Sequence, residues 1–210
     1  MEKTHTATGR GLLVVLEGID GVGKSSALRA VRAAIQGGAM ELVSSREPTD
    51  GPWGRRLRES ATVGRLSLEE ELEHFVCDRR QHVEELLQPA LDRGALVLLD
   101  RYYFSTAAYQ GARGADPEVV LAMNEAFAPI PDLVLLLDCD PVVSLERVRE
   151  RGGGADAFEK LEELQAVRNI FLALRRPFIR LIDASRPPEV VGAECGAAVA
   201  ALLAGRDLGL

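Results

Sequence analysis

The stretch Gly18-Ile19-Asp20-Gly21-Val22-Gly23-Lys24-Ser25-Ser26 has the residue types and the spacing to grip a chain of phosphates. It fits Gly-x-x-x-x-Gly-Lys-Ser/Thr at every fixed position. Wrapping phosphate oxygens requires backbone N–H groups turned inward, and glycines permit the dihedrals and the close approach. A helix beginning near Ser25 adds its positive end. Lys24 supplies a mobile charge to the outer phosphates, and the Ser25 hydroxyl can ligate Mg²⁺. Asp20 is awkward beside bound phosphate. It is either a turn-forming aspartate or a carboxylate turned away from the donor toward an acceptor.

Phosphoryl transfer at such a loop also needs an acidic residue ending a neighbouring strand, to hold the metal or its water. Ala95 to Asp100 supplies one in Asp100, and Asp138 and Asp140 compete for the role after Leu133–Leu137. Arg101 directly after Asp100 favours that strand. Neither an Asn-Lys-x-Asp motif for guanine nor a Leu-Ser-Gly-Gly-Gln helix start is present, which argues against GTPases and ABC-type ATPases. A small kinase instead needs arginines around two adjacent phosphoryl groups. Arg46, Arg79, Arg101, Arg147, Arg149 and Arg151 stand at strand ends, helix faces or a lid. Arg79 is distinctive. On a helix from Leu68, the apolar positions Leu72, Phe75, Val76, Val83, Leu86 and Leu87 share one face, and Arg79 falls within it. A buried guanidinium must be paired or must touch an anionic ligand.

The elements that position these residues follow from periodicity. Leu12–Leu16, Leu42–Ser44, Leu96–Leu99, Leu133–Leu137 and Phe178–Ile182 are short apolar runs suited to buried parallel strands. Helical patterns lie near 25–36, 54–60, 68–88, 117–127, 142–151, 159–175 and 188–204. The alternation predicts βαβ units with the ligand site at the carboxyl ends of the strands. A chain of 210 residues with 47% hydrophobic and 27% charged residues suits one globular domain. Its formal net charge of -7 disfavours a general nucleic-acid binder. Cys77, Cys139 and Cys195, with His5, His74 and His82, form no disulfide or zinc spacing. No stretch approaches a membrane span of about 20 apolar residues, and the polar start lacks a signal-peptide pattern. A cytoplasmic protein follows by elimination.

Four segments together resemble the thymidylate kinase family: Leu16 to Ser26, Arg46-Glu47-Pro48, Phe75-Val76-Cys77-Asp78-Arg79, and Asp100-Arg101-Tyr102 with Ser105 and Ala108-Tyr109-Gln110-Gly111. Pro131 to Pro141 is similar to the strand that enters the family's lid. The likeness spans Leu12 to Asp183. It implies a three-layer α/β P-loop kinase fold with about five parallel strands flanked by helices. The domain would cover residues 1–210, with a flexible tail over 1–10 and a lid at about 147–159. It implies Mg²⁺-dependent transfer from ATP to dTMP, giving dTDP and ADP.

Roles follow at the matching positions. Residues Gly18 to Ser26 and Arg147 would bind ATP, with Arg147 near the adenine. Phe75 would stack on thymine, and Arg46, Arg79 and Arg101 would hold the acceptor phosphate. Asp20 would face the 3′-hydroxyl, Pro48 would follow a cis peptide, and Tyr109 would lie beneath the deoxyribose. Ser105 belongs to the same acceptor segment, and Thr106 and Gln110 are candidates for base contacts. Lys24 and Arg101, with Arg149 and Arg151 from the lid, would act on the transferring group; Ser25 and Asp100 would hold the metal. A homodimer is implied, using the helix around 68–88.

Two departures from the family pattern bear on the acceptor. Thr49-Asp50-Gly51-Pro52-Trp53-Gly54 replaces the usual Gly-Gly-Thr, and Asp156-Ala157-Phe158-Glu159 lacks the usual lid arginine. A kinase of another deoxynucleotide or nucleoside, and a regulatory nucleotide-binding module with little turnover, therefore stand as alternatives.

Overall fold

The strands made of uninterrupted Leu and Val occupy the middle of the sheet, and those of mixed composition its edges. A computed structural model of the chain describes residues 10–38, 40–150 and 158–207. Strands β1 (Leu12–Glu17), β2 (Leu42–Arg46), β3 (Leu96–Asp100), β4 (Leu133–Asp138) and β5 (Ile179–Asp183) form one five-stranded sheet in the order β2-β3-β1-β4-β5. All pairings are parallel. β1 is buried at every position, whereas β2 and β5 keep exposed residues at the two edges.

Helices flank the sheet: α1 (Lys24–Ile35), α2 (Pro52–Val63), α3 (Leu68–His82), α4 (Gln88–Asp92), α5 (Tyr103–Gly111), α6 (Pro117–Glu125), α7 (Pro141–Glu150), α8 (Phe158–Ala173) and α9 (Pro188–Asp207). α1 and α9 pack on each other and on the sheet, while α3, α6 and α8 gather around α5. Gly192 and Gly196 on α9 meet Ala30 and Ala34 on α1. A Cβ added at Gly192 would lie 2.6 Å from that of Ala30. Small residues one turn apart on both helices bring the two backbones together.

Three expectations need correction. The helix over 68–88 is not continuous: Val83–Leu87 is a π-helical turn between α3 and α4. Pro89 has no N–H to offer the carbonyl four residues earlier, and the ladder widens before it. α5 was not anticipated, although it carries Ser105, Thr106, Tyr109 and Gln110. Finally, Pro188–Gly205 of α9, with mean hydropathy 1.3, is long and apolar enough to cross a membrane by length and composition. Its Val191, Cys195, Ala198 and Val199 are instead buried in the core. Residues 1–9 of the expected tail and 151–157 of the expected lid, including Arg151, lie outside the described residues.

Candidate active site

Strand register assembles the site. Arg46, Asp100 and Leu16 are direct neighbours across β2, β3 and β1, so the strand ends present Arg46, Asp100 and Glu17 along one edge. The loop after β1 turns back at Gly21, whose φ of 83 suits glycine. A Cβ there would lie 2.2 Å from the Ser144 carbonyl oxygen. The loop ends at Gly23, the N-cap of α1, which has no side-chain cap and no acidic residue in its first turn. A helix start of this kind favours an anion. Lys24 is buried, and its Nζ donates to the carbonyls of Gly18 (2.8 Å) and Ile19 (2.9 Å). Burial pulls its pKa down to about 7, assisted by Arg101 and opposed by Asp20, Asp100 and Glu17.

Asp20, Gly21, Gly23, Lys24, Ser25 and Ser26 share a cavity of about 240 Å³ with Asp100 and Arg101. Asp100 Oδ1 is buried there without a hydrogen-bond partner among the described residues. Its competitors are occupied: Asp138 pairs with Arg168 at 2.6 Å, and Asp140 Oδ1 accepts from the Val142 N–H at 2.8 Å. An unpaired carboxylate oxygen beside a serine hydroxyl is the hard-oxygen donor set that suits Mg²⁺. Among the described residues no group of three or more His, Cys, Asp or Glu forms a closed metal cage. Such an ion takes its other oxygens from phosphate and water.

Arg101 follows β3 with a φ of 66, in the left-handed region that side chains avoid. That turn aims its guanidinium back over the loop, where it bonds Asp20 (2.5 Å), Ser105 (2.9 Å) and Tyr109 Oη (3.5 Å). Burial pushes the Asp20 carboxyl up, but Arg101, Lys24 and the Tyr109 hydroxyl together hold it below its ordinary value. Tyr109 Oη also accepts from the Asp20 N–H at 3.1 Å. Glu17, fully buried, accepts from the N–H groups of Tyr102 (2.7 Å) and Ser105 (3.1 Å) and from the Ser105 hydroxyl (2.5 Å). Burial raises its pKa to about 7 against these donors.

A second, larger cleft of about 510 Å³ opens on the other side of Asp20 and Arg101. Pro48, Phe75, Arg79, Thr106, Tyr109 and Gln110 line it. The Glu47–Pro48 peptide is cis. Arg79, 1% exposed, lies in the wall of this cleft and is paired. It donates through Nε to Glu47 (2.8 Å), through one terminal nitrogen to Asn124 (2.6 Å) and through the other to Thr106 (3.1 Å). Glu47 also accepts from or pairs with His82 Nδ1 at 3.0 Å. Arg79 is thus compensated by protein groups, and it also borders the larger cleft.

The structure does not bring every candidate together. Arg46 bonds Asp50 at 2.8 Å, its side chain is 62% exposed, and it does not line the cleft. Arg147 reaches the Ala184 carbonyl at 3.0 Å and lines a small cavity with Gly23 and Ser26, on the far side of the phosphate cradle. Arg149 is exposed on α7. Residues absent from the sequence reading of the site, yet built into it, are Glu17, Glu47, Glu71, Asp78 and Asn124. Asp78 fastens the altered loop by accepting from the Thr49 N–H (2.8 Å) and hydroxyl (2.6 Å). A buried acid inside a motif, as at Glu17 and Glu47, was the one available signal.

A sequence model of the family described as "Thymidylate kinase" matches residues 16–195. A protein of Akkermansia muciniphila named thymidylate kinase is 52% identical over 190 residues, covering 90% of this chain and 92% of its own. One of Xylella fastidiosa is 51% identical over 86% of this chain and 83% of its own. One of Xanthomonas campestris pv. campestris is 47% identical over 97% and 89%.

Proposed function

This chain belongs to the thymidylate kinase family, and on that premise we propose that it phosphorylates dTMP to dTDP with ATP. The observation that carries the reading is the shared wall: Asp20 and Arg101 border both the phosphate cradle and the larger cleft. Two nucleotides bound on either side meet phosphate to phosphate across these residues.

An oxygen of the acceptor phosphate attacks the terminal phosphorus of ATP in line, the bond to the bridging oxygen breaks, and ADP leaves. Lys24 moves from the Gly18 and Ile19 carbonyls onto the phosphates. Arg101, held by Asp20 and Ser105, grips the acceptor phosphate as charge spreads over the transferring group. Arg79, balanced by Glu47, contributes directed N–H groups to the acceptor. Phe75 offers a ring to the base, and Tyr109 lies against the sugar. Mg²⁺ held by Ser25 and Asp100 would supply neutralisation of the phosphate oxygens. Arg147 stands at the adenine end, and the family likeness supports a lid role for Arg149. Arg46 reaches the acceptor phosphate once it releases Asp50. The three thiols are free, which supports a reducing, cytoplasmic setting; the family likeness is the support for a homodimer along α3.

The test is a panel of nucleoside monophosphates and nucleosides incubated with ATP and Mg²⁺, read as ADP and product formed. The account expects dTMP to give the highest kcat/KM, with equimolar dTDP and ADP. A preference for a nucleoside or for another monophosphate would replace the acceptor assignment, and nucleotide binding without turnover on any acceptor would replace the enzyme.

A further inference from the structure

Arg79 and Glu47 do not pair as an arginine and a carboxylate commonly do. The strong arrangement is a fork of two parallel bonds, each nitrogen to its own oxygen. Here Nε and one terminal nitrogen of Arg79 both lie against a single oxygen, Glu47 Oε2, at 2.8 and 2.7 Å. The other oxygen is engaged elsewhere: His82 Nδ1 stands 3.0 Å from Glu47 Oε1. His82 is 5% exposed and lines neither the acceptor cleft nor the phosphate cradle.

The chain geometry brings both side chains to one carboxylate. Arg79 and His82 stand three residues apart in the last turn of α3, on the same face of the helix. Glu47 meets them from the loop that follows β2. In a neutral imidazole one nitrogen donates and the other accepts, whereas a carboxylate only accepts. Facing Glu47, Nδ1 is therefore the donor. Nε2 is then the acceptor, and the Ser45 hydroxyl on β2 donates to it at 2.8 Å. Ser45, His82, Glu47 and Arg79 thus form one directed chain of hydrogen bonds that ends in the wall of the acceptor cleft.

We infer that His82 is a positioning residue for the acceptor side: by occupying Glu47 Oε1 it keeps Arg79 from closing a two-oxygen fork, and so holds the terminal N–H groups of Arg79 toward the cleft. With Oε1 released, the carboxylate would rotate to give each nitrogen its own oxygen. The guanidinium would turn with it, away from Thr106, to which it now donates at 3.1 Å. The inference rests on the dTMP reading above and deepens it. His82 acts through Glu47 and Arg79 and touches no substrate.

Steady-state kinetics of the full-length protein test this with His82→Phe, which fills the space without a donor, and His82→Asn, whose amide nitrogen stands the same number of bonds from the backbone as Nδ1. For His82→Phe the expected result is a rise in KM for dTMP of about fivefold or more. KM for ATP should stay within about twofold, and kcat should fall by less than KM for dTMP rises. His82→Asn should bring KM for dTMP back to within about twofold of the wild type. A merely structural role would lower kcat through lost folded protein and leave both KM values in place, or raise both together; either result overturns the inference, as does an Asn variant no better than Phe. Should His82→Phe fail to fold, His82→Gln decides, because it moves the amide nitrogen one bond further out, to the Ser45 side. A raised KM for dTMP alone supports the inference, and an unchanged one overturns it. A wild-type protein inactive on dTMP would instead defeat the proposed function itself.

Discussion

Arg79 is where the energetic cost of the site is concentrated. A guanidinium that is 1% exposed must be compensated, and Glu47, Asn124 and Thr106 do so from a strand-end loop and two other helices. Removing one member of a buried ion pair costs about 3–5 kcal/mol, because the other charge is stranded. Arg79→Ala is therefore expected to lower stability in urea by roughly that amount. It should raise KM for dTMP about 10-fold or more while KM for ATP moves by less than about twofold. Equal weakening of both nucleotides would remove Arg79 from the acceptor side. Helical periodicity was enough to turn this residue inward. Its partners were not legible, because they lie 27 to 45 residues away in sequence and no local pattern links them. Asp100 was recognisable as a strand-end carboxylate from its position after an apolar run. That Asp138 and Asp140 are already occupied became visible only once Arg168 and the start of α7 were in place.

Elements were recognisable where their signals are local. The strands and most helices fall within a few residues of expectation, since burial on one or both faces writes a period into the sequence. α5 escaped because its signal is remote. Its N-cap, Tyr102, makes no side-chain cap, and the N–H groups of Tyr102 and Ser105 are satisfied by Glu17 from β1. Nearly every position of α5 is buried, so no polar stripe marks a helical period. The glycines of α9 teach the reverse lesson: they look like helix breakers and are packing residues. Gly192→Leu is expected to destabilise the protein by about 1–3 kcal/mol in urea, through overpacking against Ala30. Because α9 supplies no wall of the acceptor cleft, the KM for dTMP should stay within about twofold. A variant as stable as the parent would contradict the close α1–α9 contact.

The whole molecule carries a formal net charge of -7 yet is organised around two anionic ligands. Parallel strands resolve this by ending together: the phosphate loop, Asp100 and Arg101 converge at one edge of the sheet, where Arg101, Lys24 and the start of α1 set positive groups against the overall field. The same convergence puts the acceptor cleft and the phosphate cradle back to back, with Asp20 and Arg101 as their common wall. An adenosine and a thymidine joined through their 5′ positions by a chain of phosphates would occupy both cavities at once. Steady-state inhibition by such a compound tests the end-to-end arrangement most directly. Competition against ATP and against dTMP alike is the predicted result; competition against one nucleotide alone would contradict it.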